Sequence, residues 1–313
     1  MSAAGPSQGA YPVRGTSKSG ARGDPAAPLL DIDRVGMTYV GGGLFRRSAV
    51  RAVDHVSLRL EAGEPEIFAV IGESGSGKTT LARMILNLAT PTDGTIRFLG
   101  ADVTRIRTNR DRMAFMRQVQ PIFQNPFEAF NPLKRIDRYL FVSARRFAGA
   151  RGRVDIEVTA DKALHQVGLS LAEVKGRFPH ELSGGQLQRI AIARALISAP
   201  SLIVADEPVS MVDASLRMSI VNLFKALRDE LQVSIIYITH DLATAYYISD
   251  RVLIMQRGKA VESGNARAVL DNPQHPYSIL LKNAVLSPDD AGRPMPPGGA
   301  AQDSSGIPVS NEE

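Results

Sequence analysis

The chain has 313 residues, a formal net charge of +5 and no cysteine. The missing thiols exclude disulfides, thiol catalysis and cysteine-held zinc or iron–sulfur centres, and no apolar run approaches the roughly 20 residues that cross a bilayer as a helix. The basic side chains are scattered in short clusters such as GLFRRSAVR and SARRFAGARGR, which read as solvated faces and not as a nucleic-acid patch.

Residues 1–28 are rich in Gly, Ser and Arg without an apolar leader, which predicts a mobile tail on a protein that stays inside the cell. Strand-like and helix-like stretches then alternate. EIFAVI at 66–71 reads as a strand, and Leu81, Met84, Ile85 and Leu88 after it fall on one helical stripe. Pro121 lacks a ladder donor and marks an edge strand or a bulge. From about 125 to 180 the strand signal lapses and pieces such as VDIEVTADKALHQVGL predict a helical insertion. LIVA at 202–205 is followed by a stripe of Leu216, Ile220, Leu223, Phe224, Leu227 and Leu231, then by VSIIYI at 233–238 and RVLIM at 251–255. Residues 288–313, rich in Pro, Gly and Ser, predict a second mobile tail. Short, nearly all-apolar strands between amphipathic helices need a sheet covered on both faces, so the fold class is α/β with a largely parallel sheet.

GESGSGKT, Gly72 to Thr79, fits G-x-x-x-x-G-K-[ST] between an apolar strand and an amphipathic helix. Its glycines let main-chain N–H groups curl around an anion, and the helix N-terminus adds partial positive charge. The loop residues Gly72, Glu73, Ser74, Gly75, Ser76, Gly77, Lys78, Thr79 and Thr80 are therefore the candidate site for a nucleoside triphosphate. Lys78 is suited to the β- and γ-phosphates, and the Thr79 hydroxyl to Mg²⁺. LIVADEP delivers Asp206 to the C-terminal edge of a strand, where it can hold Mg²⁺ through water. Glu207, next in the chain, is suited to polarising an attacking water. His240 lies at the exit of another strand, in YITHDL, and could touch the γ-phosphate or that water. Gln124, in IFQNPF, could touch Mg²⁺ or water; taken alone it is a turn residue.

A second glycine loop, ELSGGQLQRIAIARAL, offers a hydroxyl, two glycines and a helix N-terminus, but no lysine and no strand leading in. It reads as half of an anion site that completes a pocket on another subunit. Together the phosphate loop, FQNP, LSGGQ, LIVADEP, SMVD and ITHD stand in the order and approximate spacing of the ATP-binding cassette (ABC) ATPases, and the chain resembles that family over about 30–265. The resemblance implies a P-loop NTPase (RecA-like) core at 29–124 and 181–265, an ABC β-subdomain and an inserted α-helical subdomain at 125–180. It implies a head-to-tail dimer holding two ATP molecules with Mg²⁺. In that dimer Ser183, Gly184, Gly185 and Gln186 of one subunit would meet the ATP of the other, Asp213 would sit at the junction, and Tyr39 would stack on adenine.

A narrower resemblance rests on NPQHPYSILL, which looks like the extension (266–287) of oligopeptide/dipeptide-type importer ATPases, and on GGGLFRRSAVRAVDHVSL after Tyr39. It implies two integral permease subunits, a second cassette that is a copy or a sibling, an external solute-binding protein, and a place on the cytoplasmic face of the membrane. The groove near Gln124 to Pro132 would receive a permease coupling helix. SMVD and QPIFQNPF resemble members whose cargo is oligosaccharide instead of peptide. ABC ATPases acting on nucleic acid or ribosomes are the alternative; the single cassette, the lack of cysteine and the lack of sustained heptads argue against it, so no nucleic acid is expected. A nucleotide-switched interaction protein is a third reading, against which Glu207 argues.

Overall fold

A computed structural model describes residues 27–41, 48–125 and 129–286. The predicted tails, save residues 27–28, lie outside the described residues. In chain order the elements are β1 (Leu30–Gly41), β2 (Ser48–Leu60), β3 (Ile67–Ile71), α1 (Lys78–Ile85), β4 (Asp93–Phe98), β5 (Ala101–Asp102), α2 (Asn109–Gln118) and β6 (Val119–Ile122). Next come α3 (Ile136–Ser143), α4 (Gly152–His165), α5 (Leu171–Val174), α6 (Gly184–Leu196), β7 (Leu202–Asp206), α7 (Ala214–Leu231), β8 (Ser234–Thr239), α8 (Leu242–Ile248), β9 (Arg251–Gln256), β10 (Lys259–Asn265), α9 (Ala266–Asp271) and α10 (Pro276–Leu286).

The strands form two sheets. One is antiparallel, in the order β2-β1-β4-β5; the other has six strands, β10-β9-β3-β8-β7-β6, parallel throughout except for β10. Their burial differs as the two geometries require. Along β2, His55, Ser57 and Arg59 face water while Val56, Leu58 and Leu60 are buried, the period-2 alternation of a sheet covered on one face. All five residues of β3 are buried, because β8 and β9 flank it and helices cover it. Phe68 and Val70 join the core shared with β1, β2 and α1, whereas Ala69 and Ile71 pack with α8, α9 and Tyr277.

Between β6 and β7 the described residues form the helices α3 to α6 and no strand. Ile136 and Leu140 of α3 and Ile156, Ala160 and Leu164 of α4 pack against Leu187 and Ile190 of α6. Pro121 lies in β6, the outermost strand of its sheet, where a missing N–H costs no ladder bond.

Two predicted stripes are corrected. Leu88 is not on α1: Asn87 takes a left-handed φ of 54°, Leu88 N–H donates to the Arg83 carbonyl at 2.8 Å and Asn87 N–H to that of Met84 at 3.0 Å. That pair of bonds is the Schellman stop of a helix, and it turns Leu88 out to 63% exposure. On α7, Ile220, Phe224 and Leu227 are buried, but Leu216 and Leu231 at its two ends are partly exposed. Of the stretch GGGLFRRSAVRAVDHVSL, residues 48–58 belong to the strand β2, and residues 42–47 lie outside the described residues.

Candidate active site

The loop joining β3 to α1 is shaped by close backbone approach. Gly77 has φ 104°, and a Cβ there would stand 2.3 Å from the Ala52 carbonyl oxygen of β2, so only glycine fits. Lys78 is 5% exposed, and its Nζ donates to the carbonyls of Gly72 at 2.6 Å and Glu73 at 2.8 Å. Burial pulls its pKa below the usual lysine range, against the opposing charges of Glu207, Asp206 and Glu73.

Asp206 ends β7 beside this loop. Burial raises its pKa; a hydrogen bond with Thr79 opposes that shift and the neighbouring Glu207 charge adds to it. Its Oδ1 is buried with no hydrogen-bond partner. An unpartnered hard oxygen next to a threonine hydroxyl is the donor chemistry Mg²⁺ takes when substrate phosphates complete its shell. Among the described residues no group of three or more His, Asp or Glu could hold a metal by itself. The residues present fit a metal bound jointly with a phosphate ligand.

Glu207 comes next, with a left-handed φ of 47° that is unusual for a non-glycine. Its N–H donates to the Ile238 carbonyl of β8 at 2.9 Å, and its own carbonyl accepts from the Ser210 hydroxyl at 2.9 Å. This clamp turns the carboxylate across the strand ends. Oε2 accepts from Gln124 Nε2 at 3.0 Å, and Oε1 lies 3.1 Å from His240 Nδ1. Residues after β6, β7 and β8 thus meet at one carboxylate, and His240 is more open than Glu207.

A cleft of about 640 Å³ is lined by loop residues 72–75 and 77–80 together with Gln124, Glu207 and His240. Ala52 and Leu281 also line it, and sequence reasoning singled out neither. Ser76 is buried behind the loop. The lining does not include Asp206, Tyr39, Ser183, Gly184, Gly185, Gln186 or Asp213. Tyr39 lies on β1, 42% exposed. Ser183 caps α6: its Oγ accepts from Gln186 N–H at 3.2 Å while Gln186 Oε1 accepts from Ser183 N–H at 3.0 Å. Gly185 is buried against α7, where a Cβ would stand 2.7 Å from Leu216 Cδ1. Asp213 is exposed just before α7. Within one chain the second glycine loop therefore opens on a surface of its own.

A phosphate loop and a hydrogen-bonded glutamate in one cleft, with a metal-suited carboxylate beside the loop, can bind a nucleoside triphosphate and activate water against it. Comparison with known proteins agrees. A family model described as ABC transporter matches residues 53–210. The oligopeptide transport ATP-binding protein OppF of Salmonella typhimurium is 44% identical over 240 residues, covering 77% of this chain and 71% of that protein. OppF of Haemophilus influenzae is 38% identical over 266 residues, covering 83% and 79%. Among solved structures, the dimeric post-hydrolysis state of the ATP-binding cassette MJ0796 bound to ADP and Pi superposes with a TM-score of 0.67 at 26% identity, covering 76% of this chain and 99% of that one. CbiO1 of Clostridium perfringens, part of the complex cbiONQ, shares the fold with a TM-score of 0.65 at 23% identity, covering 83% and 95%.

Proposed function

This chain belongs to the ABC transporter family, and on that footing we propose that it is the ATP-binding and ATP-hydrolysing subunit of an importer of oligopeptides or dipeptides. The observation that carries the reading is the meeting of Lys78, Thr79 and Glu207 in one cleft, with the Asp206 charge acting on Lys78 from beside it, while the second glycine loop contributes nothing to that lining. A chain that holds one and a half phosphate sites is completed by another cassette.

In this reading the loop N–H groups and Lys78 bind the phosphates of ATP, and Tyr39 stacks on adenine. Thr79, Asp206 and Gln124 would hold Mg²⁺, which when bound would neutralise phosphate charge. Glu207 takes the proton of the attacking water, and His240 orients that water or the γ-phosphate. Ser183, Gly184, Gly185 and Gln186 of a second cassette reach the same phosphate, so ATP closes the dimer and hydrolysis reopens it. Asp213 lies at that junction and couples the two sites.

The ATPase domain spans 29–265, with its helical part at 125–180, and 266–287 is an importer-type extension. Among the described residues no helix is long and apolar enough to cross a membrane. In this reading the chain works with two integral permease subunits at the cytoplasmic face, the segment from Gln124 to Pro132, of which residues 126–128 lie outside the described residues, receiving a permease helix. A sibling or identical cassette completes the motor, and an external solute-binding protein delivers cargo. Peptide is preferred over oligosaccharide as cargo because OppF of both species is named for oligopeptide transport.

The test is an affinity pull-down of the Glu207→Gln chain from native membranes in Mg-ATP, with the co-purifying proteins identified by mass spectrometry. Two polytopic membrane proteins are expected, with or without a second cassette. Ribosomal or DNA-repair proteins without a permease would overturn the transport reading and leave the ATPase.

A further inference from the structure

The turn that opens α10 reaches the phosphate loop. The Tyr277 hydroxyl accepts a hydrogen bond from Glu73 N–H at 3.0 Å, across 204 positions of sequence. Its ring is 4% exposed and packs with Ala69, Ile71 and Ile254 beneath the loop. The turn is itself fastened: Glu262 of β10 accepts from the N–H groups of Gln274 at 2.9 Å and His275 at 3.1 Å, and His275 Nδ1 accepts from Tyr277 N–H at 3.2 Å. One turn further along α10, Leu281 lines the cleft.

The contact matters because of which peptide plane it grips. Glu73 N–H and the Gly72 carbonyl belong to one planar trans unit, their bonds pointing opposite ways. Tyr277 holds the N–H side of that plane, and Lys78 Nζ holds the C=O side at 2.6 Å. When Lys78 turns to a phosphate it releases the carbonyl. Tyr277 is then the side-chain anchor left on the plane.

We infer that Tyr277 is a positioning residue for ATP binding, through which the segment after β10 sets the geometry of the phosphate loop. The inference rests on the nucleotide site proposed above, and its consequence is particular. Removing the hydroxyl weakens the ATP-bound loop more than the same loop with Lys78 on its carbonyls, so the loss appears in affinity before it appears in stability. By reciprocity, ATP tightens the α10 turn.

The experiment compares Tyr277→Phe with Val269→Ala in the full chain. Val269 belongs to the same packed cluster, but its side chain has no group that could hydrogen-bond to the loop. Binding of a fluorescent ATP analogue gives Kd, and thermal unfolding without nucleotide gives Tm. Tyr277→Phe is expected to raise Kd about three- to tenfold, the ratio set by one neutral hydrogen bond. Val269→Ala is expected to lower Tm while leaving Kd as in the parent. In hydrogen exchange, nucleotide should slow the amides of residues 277–283 in the parent and not in Tyr277→Phe. If the parent binds the analogue and Tyr277→Phe binds it within twofold as tightly, the inference is overturned alone. If the parent binds no analogue, the nucleotide site falls and the inference with it.

Discussion

Glu207→Gln isolates one proton. The parent carboxylate is 17% exposed and bonded on both sides, to Gln124 at 3.0 Å and toward His240 at 3.1 Å. A glutamine of the same shape keeps both contacts if its oxygen faces Gln124 Nε2 and its amide nitrogen faces His240 Nδ1. In its Nε2–H tautomer the His240 ring presents Nδ1 as an acceptor. Folding stability should therefore change by less than about 1 kcal/mol, and ATP affinity by less than about threefold, because neither Lys78 nor the loop is disturbed. What disappears is the base. General-base catalysis contributes about 10²- to 10⁴-fold, so turnover should fall by that factor, a barrier rise of roughly 3–5 kcal/mol. Phosphate release at saturating Mg-ATP, with equilibrium binding measured on the same preparation, separates the two effects. Turnover within tenfold of the parent would refute the role of Glu207. Lost binding would refute the claim that glutamine fits.

Two more outcomes are expected at the loop. Gly77→Ala puts a Cβ 2.3 Å from a main-chain oxygen at φ 104°. It should cost at least about 2 kcal/mol in denaturant unfolding, since the left-handed backbone alone costs about 1–2 kcal/mol; an unchanged midpoint would mean that β2 can move aside. The lysine predicts a pH dependence. Burial depresses the pKa of Lys78 below the ordinary lysine value of 10.5, so between the depressed value and 10.5 the unfolded chain holds the proton that the folded chain has lost. The Lys78 contribution to stability therefore rises with pH through that window. ATP phosphates favour the charged ammonium, so ATP affinity should fall over the same window. Titrating Kd upward from about pH 7 in the parent and in Lys78→Met checks it: a slope in the parent that vanishes in the variant is expected, and equal slopes would assign the effect elsewhere.

The parts of the fold that can be read from sequence are those where burial writes a pattern. IFAVI, LIVAD and SIIYIT are apolar at nearly every position because the six-stranded sheet is covered on both faces. The antiparallel strand β2 is harder to read. Arg51, Asp54 and His55 interrupt its apolar positions, and its pairing with β1 shifts register between Ile32 and Val35, again before Met37, and once more between Met37 and Thr38. The end of α1 leaves no apolar signal either, since a left-handed asparagine stops the helix while the stripe runs on to Leu88. At the site, Gln124, Glu207 and His240 each stand out as a polar residue just past an apolar strand, which is why composition can pick them. Tyr277 cannot be picked in that way. HPYSILL reads as a turn entering a helix, and the group Tyr277 bonds is a main-chain N–H, which every residue but proline carries.

The groups assigned to hydrolysis already have partners inside the chain. Lys78 sits on two loop carbonyls, Glu207 on Gln124 and toward His240, and Ser183 on the N–H of Gln186. Each of these contacts shields a polar or charged group, and phosphate or water must compete with all of them. On the reading proposed above, ATP would draw the lysine from its carbonyls but leave the serine capped, since Ser183 is not in the lining of the cleft. In the same reading a second cassette would bring that serine to the phosphate, and a water seated between Glu207 and the phosphate would displace Gln124 or His240 from the carboxylate. Hydrolysis by one chain alone should therefore be slow, because the partner swaps that complete the site need a second copy of the surface around Ser183. On the importer reading, Gln124 begins the segment that would meet a permease helix. In that reading a permease that moved Gln124 would change the hydrogen bonding of Glu207 through a single 3.0 Å contact, a direct physical route by which cargo arrival could set the rate of ATP hydrolysis.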